Sequence, residues 1–163
     1  MTSASKEYRD GILSAWRGEQ WGRKFFELLA AATDDADRRA KWEVLAELEQ
    51  ATGDILLPLV AGADDDAPTE KRADLDAAAA AYGALPYADA LQQMMTIVQP
   101  AIERFQGLLD MAPEEHREAV QILFDHEVAI QEFAKRELAA DTETSLDPVR
   151  DVIARARASE LAA

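Results

Sequence analysis

Apolar residues recur at three-and-four spacing along most of this chain, the signature of amphipathic helices with one buried face. Between about Lys6 and Ala32 they fall at Tyr8, Ile12, Ala15, Trp16, Phe26 and Leu29, which predicts a first long helix. The run Thr33-Asp-Asp-Ala-Asp37 supplies an N-cap and first-turn acids for a second, whose apolar face is Trp42, Leu45, Leu48, Ile55, Leu56 and Leu59. So short a turn makes the two helices antiparallel neighbours.

From Val60 to Pro86 the chain is first Gly- and Asp-rich, then alanine-rich, and reads as a crossover outside the core, with a short helix over Ala77 to Ala81 stopped by Gly83. The acidic run Ala63-Asp-Asp-Asp66 lacks the glycine and terminal glutamate of a calcium loop and is expected to be a solvated turn. A third helix is predicted from Tyr87 to Asp110, with Leu91, Met94, Met95, Val98, Ile102, Phe105 and Leu109 inward and Pro100 kinking or widening it. Pro113 fits the first turn of a fourth, with Val120, Leu123, Phe124, Ile130, Phe133 and Leu138 inward. Asp147-Pro148 opens a short last helix, about 147–158, that docks through Val149, Val152 and Ile153 and frays beyond Arg157.

Two antiparallel pairs joined by a long connection form the pattern of a bundle with one crossover. The fold class expected is therefore all-α, with one domain over 1–163 and a core over about 6–140. Heavy use of Ala, Leu, Glu, Asp, Gln and Arg, with few glycines, agrees with helix rather than strand.

Charge and cysteine count narrow the chemistry. With 17 basic and 32 acidic residues the net charge is -15, which repels a nucleic-acid backbone or an anionic membrane. There is no cysteine, so disulfides, thiolate zinc sites and iron-sulfur clusters are excluded, and any metal must be held by carboxylate, imidazole or water. No stretch approaches the roughly 18 apolar residues of a membrane span, and the first ten residues lack the apolar core of a signal peptide. A cytoplasmic location is expected.

Acids interrupt the apolar stripes at three places. Glu19 lies in the middle of the first stripe, Glu49 with Thr52 fills a gap in the second, and Glu127 falls within the fourth. The segments Gly18-Glu19, Leu45-Ala-Glu-Leu-Glu49 and Asp125-His-Glu-Val-Ala-Ile130, with the helix plan, resemble the ferritin-like superfamily, the rubrerythrin and bacterioferritin type of four-helix bundle. In metal-binding members one Glu comes from the first helix, Glu-x-x-His from the second, one Glu from the third and Glu-x-x-His from the fourth. The resemblance implies that Glu19, Glu49 and Glu127 correspond to ligands. Thr52 and Ile130 stand where the histidines belong, and Met94, Met95 and Val98 face inward where the third helix should supply its Glu, because Gln92, Thr96, Gln99 and Glu103 form that helix's solvent face.

A di-iron site needs about six protein ligands, so this set implies no cofactor or a single iron or manganese ion. The residues expected to hold it are Glu19, Glu49, Glu127 and, if it turns inward, His126. His126 is about 100° of helix rotation from Glu127, so both cannot point straight at the axis, and it otherwise reads as a boundary residue between the fourth helix and its neighbour or as one paired with a nearby acid. Buried acids need a counter-charge, for which Arg23, one turn beyond Glu19, is available.

Three functional readings follow: a binding or interaction protein with a degenerate carboxylate cluster, a metal-dependent oxidoreductase with a reduced site, and a carrier of a small apolar ligand in the space left by the histidines. A homodimer is expected, since Trp16, Trp21, Trp42, Phe25 and Phe26 crowd the first two helices and Phe25 and Phe26 cannot share one core face.

Overall fold

The computed structural model describes residues 5–61 and 74–162, and it is all-helical, with no strand among those residues. The helices are α1 (Lys6–Ala32), α2 (Ala36–Val60), α3 (Leu75–Gly83), α4 (Tyr87–Met111), α5 (Arg117–Leu138) and α6 (Asp147–Ala162), with one 3-10 turn, Glu114–His116, before α5. None is long and apolar enough to cross a membrane. The acidic run at 63–66 lies outside the described residues.

Local chemistry sets the helix ends. Ser5 caps α1 by accepting from the Tyr8 N–H at 3.1 Å, and Asp35 caps α2 by accepting from Arg38 at 2.9 Å. Between them, the Arg39 guanidinium donates to the Thr33 carbonyl from Nε and a terminal nitrogen, at 3.0 and 2.9 Å, which ties the turn that reverses the chain. Pro113 sits just before the 3-10 turn in an extended conformation, φ -55° and ψ 153°, so it precedes the helical residues instead of joining the first turn of α5.

α1 packs along α2 and α4 along α5, giving two helical hairpins. Val149, Val152, Ile153 and Ala156 of α6 are buried where that helix packs on both α2 and α5. Arg155 pairs with Asp125 of α5 at 2.6 Å and Arg157 with Glu47 of α2, anchors that carry the helix past the point where fraying was expected. The seam between α2 and α5 is thereby filled, whereas α1 and α4 touch little.

The connection between hairpins differs from expectation. α3 joins the core, because Tyr82 is buried, donates its hydroxyl to the Ala90 carbonyl, and meets Trp42 and Phe25 edge-on at ring distances of 6.5 and 5.3 Å. One aromatic in an alanine-rich segment is enough, since a buried Tyr removes a large apolar area from water and finds a partner for its hydroxyl. α4 continues through Pro100, which lies on its exposed face. Leu138 is exposed instead of inward, because the buried stripe of α5 ends one position earlier, at Glu137.

The apolar core divides into two clusters. One gathers Phe26, Trp42, Leu45, Met94, Ile130 and Phe133; the other gathers Tyr8, Ile12, Leu56, Phe105, Val120 and Leu123. The buried stripes of α1, α2 and α5 are interrupted by Glu19, by Glu49 with Thr52, and by His126.

Candidate metal centre

Glu19, Glu49 and His126 each offer one ligand atom, and these atoms all lie within 4.8 Å of one another. They are 2 %, 6 % and 1 % exposed, so water does not neutralise them. His126 stands between the two acids, with Nδ1 3.5 Å from Glu19 Oε2 and Nε2 3.4 Å from Glu49 Oε1. Arg23 does not serve; it pairs with Glu27 at 2.8 Å on the outer side of α1.

Helix packing makes room for the group. A Cβ placed on Gly22 would lie 2.5 Å from Glu49 Oε2, so the bare backbone of α1 at that point is what admits the carboxylate. On the facing helix, a Cβ at Gly53 would approach Gln20 Nε2 at 2.9 Å and the Glu19 Cβ at 3.4 Å. Two glycines thus let α1 and α2 come together beside the acids.

Proton affinities inside the group are displaced. Burial raises Glu19 well above the usual carboxylate range, against the pull of His126 and with help from the charges of Glu49 and Glu127. For His126, burial works toward a lower value, but the Glu19 and Glu49 carboxylates reverse it and push the imidazole up to about 10. Glu127 is raised to about 7 by burial, with His126 lowering and Glu49 raising it. At neutral pH the imidazole carries a proton, and the acids around it share fewer charges than their number.

Of the residues predicted from sequence, Glu19 and Glu49 meet in the interior and His126 joins them there, contrary to its expected boundary place. Glu127 is only partly buried and reaches the rim of the same space. The signal for His126 was present: Ile122, Leu123, Ala129, Ile130 and Phe133 are all buried, and His126 is in three-and-four register with them. Also missed was Glu137, buried near the other end of the core, where Lys41 Nζ lies 3.0 Å from Oε1 and the Tyr87 hydroxyl donates to Oε2 at 2.9 Å.

The positions that would complete a di-iron set hold no ligand. Thr52 is buried with its hydroxyl donating to the Leu48 carbonyl at 3.0 Å, and Ile130, Met94 and Val98 are buried side chains without donor groups suited to a hard cation. Gln99 and Glu103 are exposed and bonded to each other at 3.2 Å. The residues present do not fit two irons. They do fit one cation in kind and spacing: two carboxylates and an imidazole lie together in the interior, and Glu19 Oε2 and His126 Nδ1 face each other at 3.5 Å without a closed hydrogen bond. The two imidazole-carboxylate distances also exceed the roughly 2.7–2.9 Å of a closed charge-assisted bond, which leaves slack in the group.

Glu19 and Glu49 form part of the wall of a cavity of about 690 Å³ lined mainly by residues of α1 and α4, with Ala78, Ala81 and Tyr82 of α3 across one side; His126 lies behind them. Met94, Val98 and Ile130 are among its walls, as are Trp21 and Phe25. Phe25, left over from the core face that Phe26 occupies, lines this cavity. No protein-family model, curated protein or solved structure matches the chain.

Proposed function

We infer that this protein is a ferritin-like bundle with one crossover that has given up di-iron chemistry and binds a small molecule beside a single divalent cation, iron or manganese. The observation that carries this reading is the convergence of Glu19, Glu49 and His126 in the interior, with Glu19 and Glu49 also on the wall of a largely apolar cavity. Glu19 and Glu49 would hold the ion through oxygen and His126 through one ring nitrogen; the other nitrogen then faces a carboxylate that fixes the ring. A bound iron or manganese would supply Lewis acidity and one-electron redox chemistry to a molecule in the cavity. Glu127, which also lines the cavity and is raised to about 7 by burial in the cation-free chain, is a carboxylate placed to accept a proton from a molecule bound there. The apolar walls exclude water from the inner face.

Elemental analysis of protein purified without chelators, followed by manganese titration, tests the cation. One ion per chain that disappears in Glu49→Ala supports it, and a protein that takes up neither iron nor manganese refutes it. A second reading rests on the place of His126 between two acids: a binding protein in which imidazolium alone balances the carboxylates. The same titration separates the two.

A further inference from the structure

The outer face of α4 stands apart from the rest of this acidic chain. Between Asp89 and Glu103 the helix carries no charged residue, although 30 % of the chain is charged. Asp89, Gln93, Thr96, Ile97, Pro100 and Arg104 are all exposed and recur at three-and-four spacing, so they form one stripe along the helix. Ile97, near its centre, is 58 % exposed, the highest value for a large apolar side chain among the described residues. Trp21 and Phe25 of α1, half-buried and stacked with ring centroids 5.1 Å apart, line the same cavity as Gln93, Ile97, Pro100 and Arg104. The stripe therefore runs along the cavity's mouth. Glu103 lies to one side of it, bonded to Gln99, which is itself bonded to Gln131 of α5. An apolar centre free of charge, with charges only at its edges, is the composition of a protein interface.

The charges at the two ends of the stripe select the partner. Asp89 and Arg104 are fifteen residues apart, about 22 Å of helix. Neither has an ion-pair partner among the described residues; the Arg104 guanidinium lies over the Phe105 ring at 5.0 Å, and its charge lowers Glu127 without pairing with it. Turned end for end, the stripe complements itself. On an antiparallel copy Asp89 meets Arg104 of the second chain, Gln93 meets Pro100 of the second chain, and Thr96 and Ile97 fall at the two-fold axis. A net charge of -15 repels an anionic membrane or a nucleic acid from this face, whereas a second copy carries the matching acid and base at the matching spacing.

We propose that two copies of this chain pair through the outer faces of their α4 helices, antiparallel about an axis between Thr96 and Ile97, so that α4 of each copy covers the cavity mouth of the other. The pairing completes the wall of the small-molecule pocket given above, but it needs neither the ligand nor the cation.

Sedimentation equilibrium of the full chain at physiological salt is the test, and it should give twice the 17.9 kDa of one chain. Ile97→Glu sets two acids against each other at the axis and should raise the dissociation constant at least about ten-fold. Asp89→Arg and Arg104→Asp each place like charges at both ends of the stripe and should weaken pairing by about ten-fold as well. Mixed in equal amounts, those two variants should form a heterodimer about as tight as the unaltered dimer, because every end pair again joins opposite charges. All three positions are exposed, so the fold of each variant should persist, and circular dichroism checks it. A chain that stays monomeric up to about 1 mM overturns the proposal, since no specific complex of ordinary affinity escapes that concentration. A dimer undiminished by Ile97→Glu uses another face and overturns it too, as does a mixture of the two charge variants that pairs no better than either alone. A monomer that takes up manganese sinks the pairing and leaves the proposed function standing.

Discussion

The Nε2 of His126 lies 3.4 Å from Oε1 of Glu49, joining residues 77 positions apart in the bundle interior. With Nδ1 facing Glu19, this imidazole is the counter-charge for two acids that water cannot reach. His126→Leu should therefore strand both carboxylates and cost the metal-free protein about 3–5 kcal/mol, the usual penalty for breaking a buried ion pair from one side. Urea unfolding measures it. Glu19→Leu/Glu49→Leu/His126→Leu removes every charge together and should recover most of the loss. A single variant as stable as the unaltered chain would show that the acids are neutral without His126.

A second buried pair fastens the opposite end. Lys41, 4 % exposed on α2, meets Glu137 of α5, 8 % exposed, and Tyr87 of α4 donates to the same carboxylate. Lys41→Met should cost about 3–5 kcal/mol by leaving Glu137 unpaired, and Tyr87→Phe about 1 kcal/mol by removing one hydrogen bond. Lys41→Met/Glu137→Leu should be much closer to the unaltered protein than Lys41→Met alone. If the losses simply add in urea melts, the two residues are not coupled in the folded state.

How far such features can be read ahead depends on what a stripe encodes. The four long helices were legible because spacing records which side is buried, and caps such as Asp35 record where a helix begins. Tyr82 was not legible, since periodicity says little about a nine-residue helix with one aromatic. On α5 the resemblance drew attention to Glu127, although the buried register runs through Ile122, Leu123, His126, Ala129 and Ile130. Lys41 and Glu137 lie on their own apolar stripes, yet a charged residue in register gives no sign of its partner across the bundle. The cavity was legible only as a space near Met94 and Ile130, both of which line it; its extent was not, because that depends on how far α1 stands from α4, a matter of distances between helices.

Ala140 adopts φ 63° just beyond the end of α5. There the N–H of Asp141 bonds to the Arg136 carbonyl at 2.9 Å and that of Ala140 to Glu137 at 3.1 Å, the paired closure in which glycine is favoured. Alanine in the left-handed region carries a steric cost of about 1–2 kcal/mol that glycine avoids. Ala140→Gly should accordingly stabilise the chain by about 0.5–1 kcal/mol after the greater backbone entropy of glycine is subtracted. Calorimetry should show a rise of about 1–4 °C in the melting temperature, given the usual slope for a chain of this size. An unchanged or lower value would mean that the turn relaxes around glycine.

Gly22 offers a way to move the Glu49 carboxylate without altering its chemistry. A Cβ there would stand 2.5 Å from Oε2 and 2.6 Å from the carboxyl carbon, and since backbone contacts hold α1 against α2, the side chain has to turn away. Helix propensity favours alanine by about 1 kcal/mol, so Gly22→Ala should fold, with that gain offsetting the displaced carboxylate. Manganese affinity, followed through the free-ion spectrum in electron paramagnetic resonance, should fall at least about ten-fold, equivalent to about 1.4 kcal/mol of binding. Manganese at 100 times its dissociation constant for the unaltered chain should stabilise that chain by about 2.7 kcal/mol. The same concentration should do less for Gly22→Ala, by the amount its weaker binding dictates. Equal affinity in the two proteins would remove Glu49 from the ligand set, leaving Glu19 and His126 too few to hold the ion.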